Sequence, residues 1–200
     1  MTPLHYPVAY GISRVTRLPL PGLVVGAVMP DIEVLFLRLF FAGIVPDHFI
    51  LHSLIGGLTL GTVLAVFSVR FIYAPLISTF FGVDRTRASS ACKVTPLLVV
   101  SCLVGVLSHI AVDVTMHWYN PVLWPWVDPY AVIGPFVLLF ASLGSINGPA
   151  FEAANMLVSV PLAVWGLVIL MTNRGPMLWE HIWLGPSSTA GEPIQLPETA

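Results

Sequence analysis

Three side chains of metal-binding type recur at four-residue intervals in the apolar segment LSHIAVDVTMHW. His109, Asp113 and His117 stand at positions i, i+4 and i+8, and on a helix these positions share one face because successive members are rotated by only about 40°. Neighbours lie about 6 Å apart along the axis and can bind one ion, whereas the two histidines lie about 12 Å apart. Asp113 is therefore the expected shared or bridging ligand. The alternative is a buried aspartate bonded to a histidine, since ionisable groups inside apolar helices need a partner, a cavity or an ion.

A second pair of histidines precedes another apolar run, in the segment VPDHFILHSLIGG. His48 and His52 are four residues apart, and helical spacing lets both rings reach one ion. The alternative is a pair of water-exposed or capping histidines at a membrane interface. Asp47 is expected to cap the helix that follows.

Two acids follow a proline in the segment VMPDIEVLF, where an unpaired charge has a large desolvation cost. Glu33 is a candidate ligand, support for a ligand, or general base, and the alternative is a salt bridge to Arg38 or Arg14. Asp31 is either a ligand or a helix cap or partner for a buried histidine. His5 is a candidate ligand only in combination with these groups.

The composition indicates whether these residues belong to a soluble or a membrane protein. Only 9% of the 200 residues are charged and 56% are hydrophobic, whereas about a quarter of an average soluble domain is charged. This composition excludes an ordinary soluble domain and favours a polytopic membrane protein. A net charge of −2 provides no broad basic surface for nucleic acid, and the two cysteines have no metal-type spacing.

Apolar runs of the length that a bilayer requires predict the membrane helices. Four runs meet this criterion: residues 54–73, 95–118, 129–146 and 151–172. A fifth, 21–45, is expected to break into two short helices near Met29 because Pro30 lacks a backbone donor. The predicted fold is an all-α membrane helix bundle of about four to five transmembrane helices. It forms a single domain over residues 1–183, and the tail, 184–200, is too polar to fold.

The N-terminal region is predicted to form a short re-entrant hairpin. Residues 8–15 are too few to cross a membrane, and with 22–29 they can pack as a hairpin against the other helices. That arrangement would bring His5 close to Asp31.

Basic residues between the second and third apolar regions predict the orientation in the membrane. Because cytoplasmic loops are enriched in Lys and Arg, this loop is expected on the cytoplasmic side. The histidines and acids at the opposite ends of the flanking helices then face outward. The basic residues are Arg70, Arg85, Arg87 and Lys93.

The order of these motifs resembles that of a prokaryotic family of membrane-bound metal-dependent hydrolases, the YdjM-like or LexA-regulated inner-membrane proteins. That family shows an N-terminal His, Pro-Asp-x-Asp, His-Arg-Gly-x-Thr-His-Ser, and Ser-His-x-x-x-Asp followed by Leu-Trp-Pro. The present chain has Glu33 at the second acid, Asp47 at the first histidine of the middle motif, no Arg-Gly after it, and Met116 in place of a threonine. The matching residues are His5, Pro30, Asp31, Leu51, His52, Ser53, Leu54, Leu107, Ser108, His109, Asp113, Pro121, Leu123, Trp124 and Pro125.

The resemblance implies a metal-dependent hydrolase in a prokaryotic cytoplasmic membrane. Its divalent ions, one or two, would be zinc, with iron or manganese as alternatives, and His48 and His117 are further candidate ligands. Glu33 is the candidate base, and a lipid or phosphoester is the expected substrate, with membrane lipids as partners. A transporter or proton-coupled protein and a noncatalytic structural membrane protein remain alternatives. The expected ligands are His5, Asp31, His52, His109 and Asp113.

Overall fold

The computed structural model describes residues 2–42 and 46–185, and the regular secondary structure of these residues is all helical, with no strand among them. The prediction of an all-α fold is thus confirmed. Within the described ranges, three helices are long and apolar enough to cross a membrane: Leu54–Phe81, Pro96–Met116 and Pro149–Thr172. The predicted number of four to five membrane helices is therefore not confirmed.

Helix α1 (Tyr6–Val15) follows a single 3₁₀ turn and folds back on helix α2 (Leu20–Phe41). The N-terminal hairpin that was predicted over 8–15 and 22–29 is present. Helix α2 then continues through Pro30, so the predicted break near Met29 is wrong. The last three residues of the predicted region, 43–45, lie outside the described residues.

Helix α2 packs against two of the helices that follow it along the chain. Helix α3 (Leu54–Phe81) and, after the short α4 (Arg85–Ala91), helix α5 (Pro96–Met116) both pack against α2. The Nδ1–H group of His109 on α5 donates to the carbonyl of Ala27 at 2.7 Å, in the turn before the proline.

Glycines bring α2 and α5 into backbone contact beside this hydrogen bond. A Cβ atom added at Gly105 would overlap the carbonyl oxygen of Leu23 and lie 2.9 Å from the backbone nitrogen of Ala27. Small residues at helix interfaces permit such close approach in membranes. This contact fixes the position of His109 along the axis of α2.

We expect that replacing Gly105 by alanine destabilises the protein by about 1–3 kcal/mol, because the overpacked methyl group meets backbone atoms that cannot rotate away. Thermal unfolding in detergent measures the effect. Gly166→Ala is the matched control, since a Cβ there would make only a 3.4 Å contact with Pro7. Equal melting temperatures for the two variants would show that α2 and α5 are not packed this closely.

Residues 129–146 do not form the predicted membrane helix. They make two 3₁₀ turns, Pro129–Ala131 and Ala141–Leu143, on either side of the short helix α6 (Pro135–Leu139). Pro135 biases the preceding residue away from helical geometry, and Gly134 donates its N–H to the carbonyl of His117 at 2.8 Å. The segment therefore folds over the end of α5.

The last helices of the described residues are α7 (Pro149–Thr172) and the short α8 (Leu178–Leu184). The hydroxyl group of Tyr6 donates to the carbonyl of Ile182, and that of Tyr73 donates to the carbonyl of Trp183, each at 2.8 Å. These bonds attach α8 to both α1 and α3. Leu184, the first residue of the predicted tail, ends α8 and is buried, and residues 186–200 lie outside the described residues.

Candidate metal centre

The five expected ligands converge from four parts of the chain. His5 ends the N-terminal 3₁₀ turn, Asp31 lies on α2, His52 precedes α3, and His109 and Asp113 lie on α5. None of the five is more than 9% exposed. The structure thus brings together all of the residues that the sequence assigned to the site.

Four of these residues form a compact set, which we call the inner group: Asp31, His52, His109 and Asp113. One ligand atom from each lies within 4.8 Å of the others. The Nε2 atom of His109 is 3.3 Å from Oδ2 of Asp113 and 3.7 Å from Oδ1 of Asp31. Adjacent ligand atoms around a tetrahedral zinc ion are separated by about 3.3–3.6 Å, given its bond lengths. The inner group therefore needs only small shifts to bind such an ion.

Hydrogen bonds to the Nδ1 atoms of His52 and His109 determine which nitrogen of each ring carries the proton. The Nδ1 atom of His109 faces the Ala27 carbonyl at 2.7 Å, and that of His52 faces Oε2 of Glu33 at 3.3 Å. Since a carbonyl or carboxylate oxygen only accepts, both Nδ1 atoms carry the proton, and a neutral ring then has its lone pair on Nε2. Burial lowers the pKa of His52, which favours the neutral form.

When both rings are neutral, acceptor atoms face one another in the inner group. The two Nε2 atoms of His52 and His109 are 3.4 Å apart, and carboxylate oxygens of Asp31 and Asp113 lie beside them. With both rings neutral, no donor hydrogen stands between these four atoms. A cation must compensate for this arrangement, either a metal ion or an additional proton on one ring.

Glu33 holds the segment that carries His52. Its carboxylate accepts from the backbone N–H groups of Phe49, Ile50 and Leu51 at 3.2, 2.7 and 2.9 Å, in addition to the contact with His52. Hydrogen bonds to a charged acceptor are about twice as strong as neutral ones. Both oxygens of Glu33 are thus engaged by the segment 49–52.

These bonds explain why the expected helix over His48 and His52 is wrong. Residues 46–53 form bends and a turn, and the helix begins at Leu54 with Ser53 as its cap, accepting from the N–H of Gly56 at 3.0 Å. The two rings still lie 4.3 Å apart between centroids. Asp47, the expected cap, instead pairs with Arg38 at 2.6 Å.

A second set of ligands, the outer group, consists of His48, Asp113 and His117. One ligand atom from each again lies within 4.8 Å of the others. His117 donates Nδ1–H to the backbone carbonyl of Asp113 at 2.9 Å, which leaves its Nε2 available. Asp113 belongs to both groups, in agreement with the expected sharing, and His109 and His117 fall in different groups.

His5 lies against both groups without belonging to either. Its Nε2 atom is 3.4 Å from Oδ1 of Asp113, and its ring stacks on that of His109 with 3.9 Å between centroids. Its Nδ1 atom is buried and has no hydrogen-bond partner in the described ranges. His5 is therefore in position to orient the carboxylate of Asp113 or to act as an additional ligand if an ion binds there.

A cavity of about 790 Å³ opens beside the outer group. His48, Asp113 and His117 form part of its wall, together with Asp31 and Arg38, and the remaining wall includes Trp118, Tyr119, Tyr130, Phe151 and Asn155. The sequence did not predict this cavity. The 129–146 segment builds part of this wall because it folds over α5.

Asn120 is a buried residue to which sequence reasoning gave no role. Its side-chain amide donates to the carbonyls of His117 and Val132 at 2.9 and 3.0 Å. It thereby joins the end of α5 to the segment over the cavity. A polar residue in an aromatic-rich stretch carries no spacing signal that would have revealed this function.

The model of one protein family, a domain of unknown function called DUF4184, matches residues 2–127. That range includes His5 and every member of the inner and outer groups. No curated protein and no solved structure matches the chain. Because the matched range covers more than half of the 200 residues, the chain belongs to the DUF4184 family.

Proposed function

We propose that this protein is a membrane-embedded metal-dependent hydrolase whose inner group binds a divalent ion, zinc in the first instance. The observation that carries the proposal is the inner group itself, in which the Nε2 atoms of two histidines lie 3.4 Å apart with two carboxylates beside them. Mixed imidazole and carboxylate ligands suit zinc, and iron or manganese as well.

The supporting hydrogen bonds favour a metal site over a simple histidine–aspartate pair. Metal-binding histidines almost always donate their other ring nitrogen to a carbonyl or carboxylate. His109 donates to Ala27 and His52 to Glu33. A structural pair would need only one such histidine, whereas two are oriented here toward one point.

The chain's own residues have separate tasks in this proposal. The ligands fix the position of the ion, which when bound would lower the pKa of water and polarise an ester or phosphoester. Glu33 acts as a positioning residue for His52, since its oxygens are engaged by the segment 49–52. This assignment replaces the general base that the sequence suggested for Glu33.

A lipid or phosphoester substrate fits the location of the centre. His52 precedes α3 and Asp113 lies near the end of α5, whereas Arg85, Arg87 and Lys93 lie between the other ends of these helices. By the enrichment of basic residues in cytoplasmic loops, the centre faces the outer side of the membrane. The adjacent cavity, with its aromatic wall, can admit a lipid headgroup.

Hydrolysis of labelled phospholipids and of a chromogenic phosphodiester in mixed micelles tests the proposal. Zinc-loaded wild type should show turnover that a chelator removes and zinc restores, and His109→Ala should abolish it. His181→Ala is the matched control, because His181 lies on α8 outside both groups. A zinc-loaded protein that hydrolyses neither substrate class but moves protons or cations into vesicles would establish the transport alternative instead.

A further inference from the structure

We propose that the outer group is a second divalent-cation site, open to the cavity, and that Asp113 bridges it to the ion of the inner group. This inference rests on the metal binding of the proposed function and deepens it. It predicts a two-ion centre in which the second ion contacts a phosphate group of the substrate. The three protein ligands of this ion are His48, Asp113 and His117.

The geometry of the outer group meets the requirements of such a site. The Nε2 atom of His48 lies 3.7 Å from Oδ2 of Asp113, and the rings of His48 and His117 are 4.7 Å apart between centroids. The Nδ1–H bond from His117 to the backbone of Asp113 holds that ring in place.

Asp113 is in position to bind two ions at once. Its Oδ2 atom lies 3.3 Å from Nε2 of His109 and 3.7 Å from Nε2 of His48, so that one carboxylate faces a histidine of each group. Its other oxygen, Oδ1, faces His5 at 3.4 Å. Two-metal hydrolytic sites hold their ions about 3.5–4 Å apart, and a carboxylate that binds both ions is compatible with that separation.

The two sites differ in their access to water. The side chains of His109 and His52 are 0% and 3% exposed, whereas that of His48 is 21% exposed and borders the cavity. An ion with three protein ligands retains open coordination positions, as catalytic zinc sites do. The outer ion is therefore the exchangeable one and the one that meets substrate.

The charges of the centre indicate the chemical class of that substrate. Two divalent ions would carry more positive charge than Asp31, Asp113 and the neighbouring Glu33 together carry negative charge. Arg38 also borders the cavity, although Asp47 pairs with it. A centre with this excess positive charge favours an anion with several oxygens, and a phosphate group can bind to both ions.

Manganese(II) alone, added to chelator-treated protein in detergent, tests the second site. We expect two manganese ions per chain in wild type and an EPR spectrum of an exchange-coupled pair. His117→Ala and His48→Ala should each bind one ion with an uncoupled spectrum, and His181→Ala should behave as wild type. Circular dichroism and thermal unfolding verify that each variant is folded.

The outcomes separate this inference from the proposed function. One uncoupled ion in both wild type and His117→Ala would overturn the second site and leave the inner site intact. Two coupled ions without any hydrolysis would support the second site and count against the hydrolase. No bound ion would overturn both.

Two probes test the phosphate assignment: inorganic phosphate, and short-chain phosphatidic acid in micelles. Either probe should alter the coupled EPR spectrum of wild type and have no effect on His117→Ala. A response to phosphatidic acid at lower concentration would assign a lipid headgroup, and a response to inorganic phosphate at lower concentration would assign a soluble phosphate. Absence of a response to both would overturn the assignment.

Discussion

Replacing Asp113 by asparagine should lower the affinity for divalent ions by roughly 100- to 1000-fold, the equivalent of removing one member of a buried charge pair. Asp113 is the one residue common to the inner and outer groups among the described residues. Asparagine has nearly the same shape but no charge. Its amide can donate to Nε2 of His109, which now lies 3.3 Å from the carboxylate, so we expect the variant to fold.

Competition with a chromophoric zinc chelator measures this loss. Asp84→Asn is the matched control, because Asp84 caps α4 by accepting from the N–H of Arg87 at 2.8 Å and belongs to neither group. Wild-type zinc affinity in Asp113→Asn would mean that the carboxylate serves only as a partner for the histidines.

Replacing Glu33 by alanine should lower the free energy of unfolding by about 3–5 kcal/mol, since each hydrogen bond to a charged group contributes about 1.5–3 kcal/mol and the contributions are not additive. The carboxylate accepts from three backbone N–H groups and contacts His52. Metal affinity should fall about 10- to 100-fold, as it does when the partner of a metal-binding histidine is removed.

The Glu33→Gln variant separates a positioning role from that of a general base. A glutamine keeps one acceptor oxygen but turns an amide donor toward some of the N–H groups, so a positioning role predicts intermediate losses of both stability and metal affinity. A general base predicts lost turnover with both quantities unchanged. Thermal unfolding and zinc titration measure them, with Glu152→Ala on the exposed start of α7 as the control.

The spacing of residues on a single helix was sufficient to predict the centre of the site. His109 and Asp113 share a face of α5 because of helical periodicity. Asp113 is shared between two groups because His109 and His117 lie too far apart along the helix to bind one ion. The N-terminal hairpin could also be predicted, because residues 8–15 are too few to cross a bilayer.

Features that depend on contacts between distant segments could not be predicted. The bend at 46–53 exists because Glu33, on another element, accepts the N–H groups of Phe49, Ile50 and Leu51. Helix α2 continues through Pro30, and α5 packs against it with His109 bonded to Ala27 in the preceding turn. Hydropathy alone also predicted a membrane helix over 129–146. Gly134 and Pro135 prevent a continuous helix there, and the segment forms part of the cavity wall.

The metal content of detergent-purified protein, measured by elemental mass spectrometry, tests the central claim most directly. The arrangement of the inner group predicts at least one equivalent of zinc, iron or manganese per chain in wild type and in His181→Ala. His109→Ala should contain markedly less while remaining folded. No bound metal in wild type, even after reconstitution with each of these three ions, would contradict the claim and leave a protonated histidine as the cation of the inner group.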